Sequence, residues 1–200
     1  MRNIPAILIY SRIVLGLAIM LLALWQPTFY RATIIAMIAV GLVSDILDGI
    51  VARRLGISTE KMRRLDSGVD QVFWTLVIAG TCIVSPAFYK DHYLALAIIV
   101  AAEVATYVLS YIKFQKEVAT HAILSKVWTL TIFTTLVDAI ATGSATWSFY
   151  LCFYAGLISR LEIIGILLLL RQWTNDVPSL YHAVQMRKGR TIKRSKWFNG

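Results

Sequence analysis

Acidic residues are scarce in this chain, eleven among 200, against twenty lysines and arginines, for a formal net charge of +9. Cysteine is scarcer still, with two. Both Cys82 and Cys152 fall inside apolar runs, which argues against a disulfide framework and leaves buried structural thiols as the expectation. No internal repeat and no low-complexity stretch is visible. The opening "MRNIPAILIYSRIVLGLAIMLLALW" lacks a small-residue cleavage site, and its apolar stretch is long enough to span a bilayer. It is therefore expected to stay in the mature chain rather than be removed as a signal peptide. No nucleic-acid recognition motif accompanies the basic residues, so no nucleic-acid partner is expected.

What the chain has in abundance is apolar surface: 58% of its residues are hydrophobic. That is too much for a soluble domain of this length and indicates a polytopic membrane protein with an all-α fold. A spanning helix needs roughly 20 mostly apolar residues, and six candidates meet this, at 4–25, 31–54, 67–88, 92–113, 124–143 and 147–171. The connections after the first, third and fifth hold few charges. Those after the second and fourth carry "RRLGISTEKMRR" and "KFQKEVATH", and the end of the chain reads "RKGRTIKRSKW". The Lys/Arg asymmetry puts both termini and the two basic loops on the cytoplasmic side. Residues 1–172 are expected to form the membrane domain, and 173–200 a basic cytoplasmic tail that either lies along the membrane surface, with Tyr181, Trp197 and Phe198 dipping inward, or is disordered. Trp25, Phe29, Tyr30, Phe88, Tyr89, Tyr93, Trp147, Phe149 and Tyr150 gather near the outer span ends, as interfacial anchors do.

Against this background the segment Ser44–Asp70, "SDILDGIVARRLGISTEKMRRLDSGVD", stands out because it holds four of the eleven acids, Asp45, Asp48, Asp66 and Asp70. On a helix Asp45, Asp48, Gly49, Ala52 and Arg53 share one face, and Asp66 and Asp70 share a face of the next helix. If those helices are antiparallel neighbours the carboxylates converge, and their repulsion calls for a hard divalent cation on oxygen ligands. The 14 residues from Arg31 to Asp45 make about 21 Å of helix, which puts Asp45 near the level of the lipid phosphates. Gly49 and Ala52 leave room for a ligand at the backbone, and Arg53 offers a planar fork for phosphate. The bland alternative is an ion-pair cluster of the acids with Arg53, Arg63 and Arg64, but intramembrane acids are costly and mostly functional.

The same residues resemble the signature of the CDP-alcohol phosphatidyltransferases, D-x2-D-G-x2-A-R-x8-G-x3-D-x3-D. Asp45, Asp48, Gly49, Ala52, Arg53, Asp66 and Asp70 fall in register, and Met62 stands where the pattern has glycine. The resemblance implies transfer of the phosphatidyl group of a CDP-lipid such as CDP-diacylglycerol onto an alcohol, with release of CMP. It further implies two magnesium or manganese ions held by Asp45, Asp48, Asp66 and Asp70, with Asp70 also the general base. Gly49, Ala52, Arg53 and Asp48 would meet the cytidine nucleotide, and a homodimer would be in keeping with the family.

Weaker signals surround this core. "NIPAILIYSR" is similar to the family's opening segment; Arg12 within it needs a partner, either the acidic or nucleotide site, where it would be an acceptor- or phosphate-binding residue, or, by snorkelling, the interface. "SKVWT" (Ser125–Thr129) resembles the family's G-K-x-x-T element, making Lys126 either a phosphate contact or a positive-inside anchor. Arg160, deep in the sixth span, either binds a phosphorylated acceptor or pairs with Glu103. Asp138, His92, His121 and His182 show no metal-ligand spacing and read as interfacial or structural. Lys126, Arg160 and the basic loops favour a phosphorylated polyol acceptor such as glycerol 3-phosphate; inositol phosphate or an unphosphorylated alcohol is the alternative. From another class, a divalent-cation transporter could use the four acids, but it would need a polar path through the outer halves of the spans, which offer little of one. A catalytically dead relative acting as a scaffold is a third reading, against which the intact acids argue.

Overall fold

The computed structural model describes residues 4–54, 60–116, 118, 122–174 and 177–190, with the side chains of 4–6, 52–54, 60–64 and 67 outside that description. Every regular element among the described residues is a helix: α1 (Ile4–Trp25), α2 (Tyr30–Arg54), α3 (Glu60–Val84), α4 (Pro86–Asp91), α5 (Tyr93–Phe114), α6 (Ile123–Thr142), α7 (Trp147–Leu169) and α8 (Leu180–Arg187). Five of them are long and apolar enough to cross a membrane, over Ile7–Trp25, Tyr30–Val51, Tyr93–Phe114, Ile123–Thr142 and Trp147–Leu169.

The third span expected at 67–88 is corrected at its C-terminal end, while its apolar part begins at Gly68, within one residue of the expected start. Its helix starts at Glu60, in the charged connection, and stops at Val84, so that its apolar part, Gly68–Val84, is shorter than the other five. Pro86 explains the stop, since a proline disfavours the helical conformation of the residue before it. Ser85 compensates by donating its hydroxyl to the Ala139 carbonyl at 2.7 Å, and Pro86 then opens the short α4.

The chain divides into two compact units, Met1–Lys90 with Leu136–Ala145, and Asp91–Thr135 with Thr146–Gly200. In the first, α1 packs along both α2 and α3, while α2 and α3 meet each other only sparingly among the described residues. Small residues permit close approach, of α1 to α3 at Gly16 and Gly80 and of α2 to α3 at Gly41. A Cβ on Gly41 would lie 2.3 Å from Cζ of the buried Phe73, one on Gly16 would lie 2.9 Å from Leu76 Cδ1, and one on Gly80 would lie 3.2 Å from Ile19 Cγ2. In a bilayer, where lipid tails are as apolar as leucine, such van der Waals fit is what holds helices together. Gly41→Leu should therefore lower the stability of the detergent-solubilised protein by about 1–3 kcal/mol through overpacking. Gly68, whose Cβ would meet nothing within 4 Å, is the control: Gly68→Ala should melt at or above the wild-type temperature.

In the second unit α7 packs against α5 and α8. Ala122, Ile163, Ile166, Leu167, Leu170, Val177 and Ala183 form its core. The last carbonyls of α7 are capped by cations, as helix C-termini favour: Lys113 Nζ donates to Leu167 and Leu168 at 2.8 Å each, and Arg187 to Leu169 at 3.3 Å. Of the two expectations for the tail, disorder does not hold for Leu180–Arg187, which is helical and buries Ala183; Trp197 and Phe198 lie outside the described residues.

Two further expectations are corrected. Trp25, Phe29, Tyr93 and Trp147 are exposed as interfacial anchors should be, but Phe88 and Phe149 are buried. The Phe149 ring centre lies 4.1 Å from that of His92, the two rings tilted by 58°. Both cysteines are free, as anticipated, yet only Cys152 is buried; Cys82 is exposed on the outer surface of α3.

A candidate metal centre built around a buried arginine

The acidic residues reach one place from two helices. Asp45 and Asp48 sit one turn apart on α2, and Asp66 and Asp70 one turn apart on α3. One oxygen each of Asp45, Asp48 and Asp66 lies within 4.8 Å of the others, a spacing that could hold a metal ion. Asp48 is buried, whereas the side chains of Asp45, Asp66 and Asp70 are 37%, 30% and 29% exposed. The group is therefore anchored at one buried carboxylate and open at the others.

The element that unites them is α1. Arg12 is fully buried and forms ion pairs with all four acids: Nη1 with Asp45 at 2.8 Å and with Asp70, and Nη2 with Asp48 at 2.5 Å and with Asp66. A guanidinium suits this task because it offers five N–H donors in a fixed plane. Its Nε is buried and has no hydrogen-bond partner among the described residues. Nearby, Ser44 donates its hydroxyl to the Leu8 carbonyl at 3.3 Å, a polar tie between α2 and α1 beside the cluster.

The sequence expectation of two adjacent acidic helices therefore needs an addition: α1 supplies the cation as well as much of the packing. The signal for it was a lone arginine inside an apolar run, but nothing in the sequence specified that it would touch four carboxylates. Gly49 follows Asp48 on α2 and is half-buried. The side chains of Ala52 and Arg53, and those of Arg63 and Arg64, lie outside the described residues.

A second polar group occupies the other unit. Arg160 Nη1 pairs with Glu103 at 2.6 Å. Its guanidinium lies 4.7 Å from the Trp128 ring centre, a cation–π distance, and Nη2 approaches the Ser125 and Ser159 hydroxyls at 3.4 Å each. Those hydroxyls are 3.0 Å apart. Gly156 admits the Trp128 indole, since a Cβ there would lie 2.6 Å from Nε1. Arg160 is thus buried and paired with Glu103, while Lys126 stands exposed in the first turn of α6. Asp138 and His182 keep local roles: the Asp138 carbonyl accepts the Thr142 hydroxyl, and His182 Nδ1 lies 2.8 Å from Ser179 Oγ. His121 lies outside the described residues.

These features define an all-helical integral membrane protein with a carboxylate cluster able to hold a cation. The family follows from comparison with protein-family models: the CDP-alcohol phosphatidyltransferase model matches residues 2–174, and the chain belongs to that family. Comparisons with curated proteins and with solved structures gave no match. The family's chemistry is transfer of a phosphatidyl group from a CDP-lipid to an alcohol, and it generally uses divalent metal ions. The residues fit such ions: the donors are all hard carboxylate oxygens, as magnesium and manganese prefer, and Arg12 brings a single positive charge against four carboxylates.

Proposed function

We propose that this protein moves the phosphatidyl group of CDP-diacylglycerol onto a phosphorylated polyol, glycerol 3-phosphate being the leading candidate, and releases CMP. The observation that carries the reading is the convergence of Asp45, Asp48 and Asp66 around buried Arg12 in a chain of this family. Asp45, Asp48, Asp66 and Asp70 would hold two magnesium or manganese ions. When bound, such ions neutralise a diphosphate and stabilise the departing nucleotide.

The chain's own residues supply the rest. Asp70 accepts the proton of the acceptor hydroxyl as that oxygen bonds to the lipid-linked phosphorus and the bond from phosphorus to the CMP oxygen breaks. Gly49 and Ala52 let the nucleotide approach the α2 backbone between the acids, and Arg53 takes a phosphate oxygen. Lys126 and Arg160 provide positive charge for the phosphate of the acceptor. The lipid tails stay in the bilayer throughout, so the chemistry needs no water-soluble domain. In this reading α3 is the third of six spans, both termini and the active site face the cytoplasm, residues 1–172 form the catalytic membrane domain and 173–200 its basic tail, and two copies associate.

The test is CMP release by the purified protein in detergent, with CDP-diacylglycerol, manganese or magnesium, and a panel of acceptors. Glycerol 3-phosphate should support turnover, and excess chelator should abolish it. Turnover with inositol phosphate or an unphosphorylated alcohol instead would reassign the acceptor. Metal-dependent ion flux into vesicles without CMP from any acceptor would replace the transferase by a transporter.

A further inference from the structure

We infer that Arg12 is a built-in counter-cation that makes metal binding depend on the nucleotide; the inference rests on the metal-site reading above. The guanidinium is fully buried on α1 and pairs with every one of the four acids, which come from α2 and α3. Like charges this close would drive the helices apart or force the carboxyls neutral. Arg12 offsets that pressure and lets the four carboxylates gather.

The same charge opposes an incoming dication. A guanidinium 2.5 Å from an Asp48 oxygen and 2.8 Å from an Asp45 oxygen repels a second cation on those carboxylates, and the repulsion is strong where water is excluded. Each carboxylate keeps further lone pairs, so metal and arginine can share the cluster, but at a cost in affinity. A diphosphate brings negative charge that offsets this cost. Arg12 Nε is buried and has no hydrogen-bond partner among the described residues, so the guanidinium has one donor not committed to the acids there. Metal and nucleotide should therefore each tighten the other, and by linkage the factor is the same in both directions. The benefit is selectivity: the cluster fills when substrate is present and stays intact when it is not.

The experiment compares wild type, Arg12→Gln and Arg12→Lys in detergent. Manganese binding is read from the free-ion paramagnetic resonance signal, with and without CDP, and melting temperature is read in chelator and in excess manganese. Arg12→Gln should bind manganese alone about tenfold or more tightly than wild type and lose most of the enhancement by CDP. It should melt below wild type in chelator, and manganese should close that gap. Arg12→Lys, which keeps the charge but not the fork, should resemble wild type in metal affinity and melt lower in chelator. Equal or weaker manganese binding by Arg12→Gln, or a melting deficit that manganese leaves untouched, would overturn the inference and make Arg12 a packing residue. If wild type binds no manganese even with CDP, the metal-site reading itself falls, and that outcome is distinct from the other two.

Discussion

Turnover by Asp70→Asn is expected to fall by about 10²- to 10⁴-fold, the range a positioned general base supplies, while manganese binding in the presence of CDP stays within a few-fold of wild type. The geometry separates Asp70 from its neighbours. The oxygens that lie within 4.8 Å of one another belong to Asp45, Asp48 and Asp66, and Asp70 joins them through its ion pair with Arg12. An amide there keeps the size of the side chain and loses the ability to take a proton. Asp48→Asn makes the contrast. Asp48 is the one buried carboxylate of the four, so its loss should cost metal binding and turnover together. The decisive readings are CMP release and manganese binding on the same preparations, with melting temperature showing that both variants fold. Wild-type turnover in Asp70→Asn would refute the base assignment, and a parallel loss of metal would make Asp70 a ligand alone.

Those aspartates were legible in the sequence because charge inside an apolar background is a strong signal and helical spacing alone puts Asp45 with Asp48 and Asp66 with Asp70 on common faces. The bounds of α1 were legible for a similar reason: Pro27 and the polar turn around it end an otherwise unbroken apolar run. The start of α3 was not. Its first residues, Glu60 onward, are charged and look like loop when judged by hydropathy, yet they continue the helix. Partner choice was less legible still. Linear order suggests that α2 should pack mainly on α3, whereas α1 packs along both, with close contacts to α3 from Gly16 to Leu76 and from Ile19 to Gly80, and α2 meets α3 closely where Gly41 faces Phe73. Which glycine receives which ring depends on a three-helix fit that one sequence does not spell out. Phe88 and Phe149 were misplaced at the interface for the same reason: an aromatic near a span end is an anchor or a core residue according to which way its helix face turns.

The largest effect on stability is expected in the second unit. Glu103→Gln should destabilise the detergent-solubilised protein by about 3–5 kcal/mol, the usual cost of leaving one member of a buried ion pair without its counter-charge. Arg160 is 8% exposed and Glu103 33%, so the arginine bears the desolvation. Its other neighbours among the described residues include the Trp128 face, two serine hydroxyls and Tyr107, none of which carries the full negative charge that Glu103 brings. Removing both members as Glu103→Leu with Arg160→Leu should recover most of the loss, because well-packed apolar side chains often replace a buried pair without penalty. The recovered double variant then isolates the acceptor question from folding. If Arg160 also receives the acceptor's phosphate, KM for glycerol 3-phosphate should rise about tenfold or more, while KM for CDP-diacylglycerol and kcat change little, the pattern of lost ground-state binding. An unchanged KM in a stable double variant would assign Arg160 to packing between α5 and α7. Lys126 would then carry the recognition of the acceptor's phosphate without it.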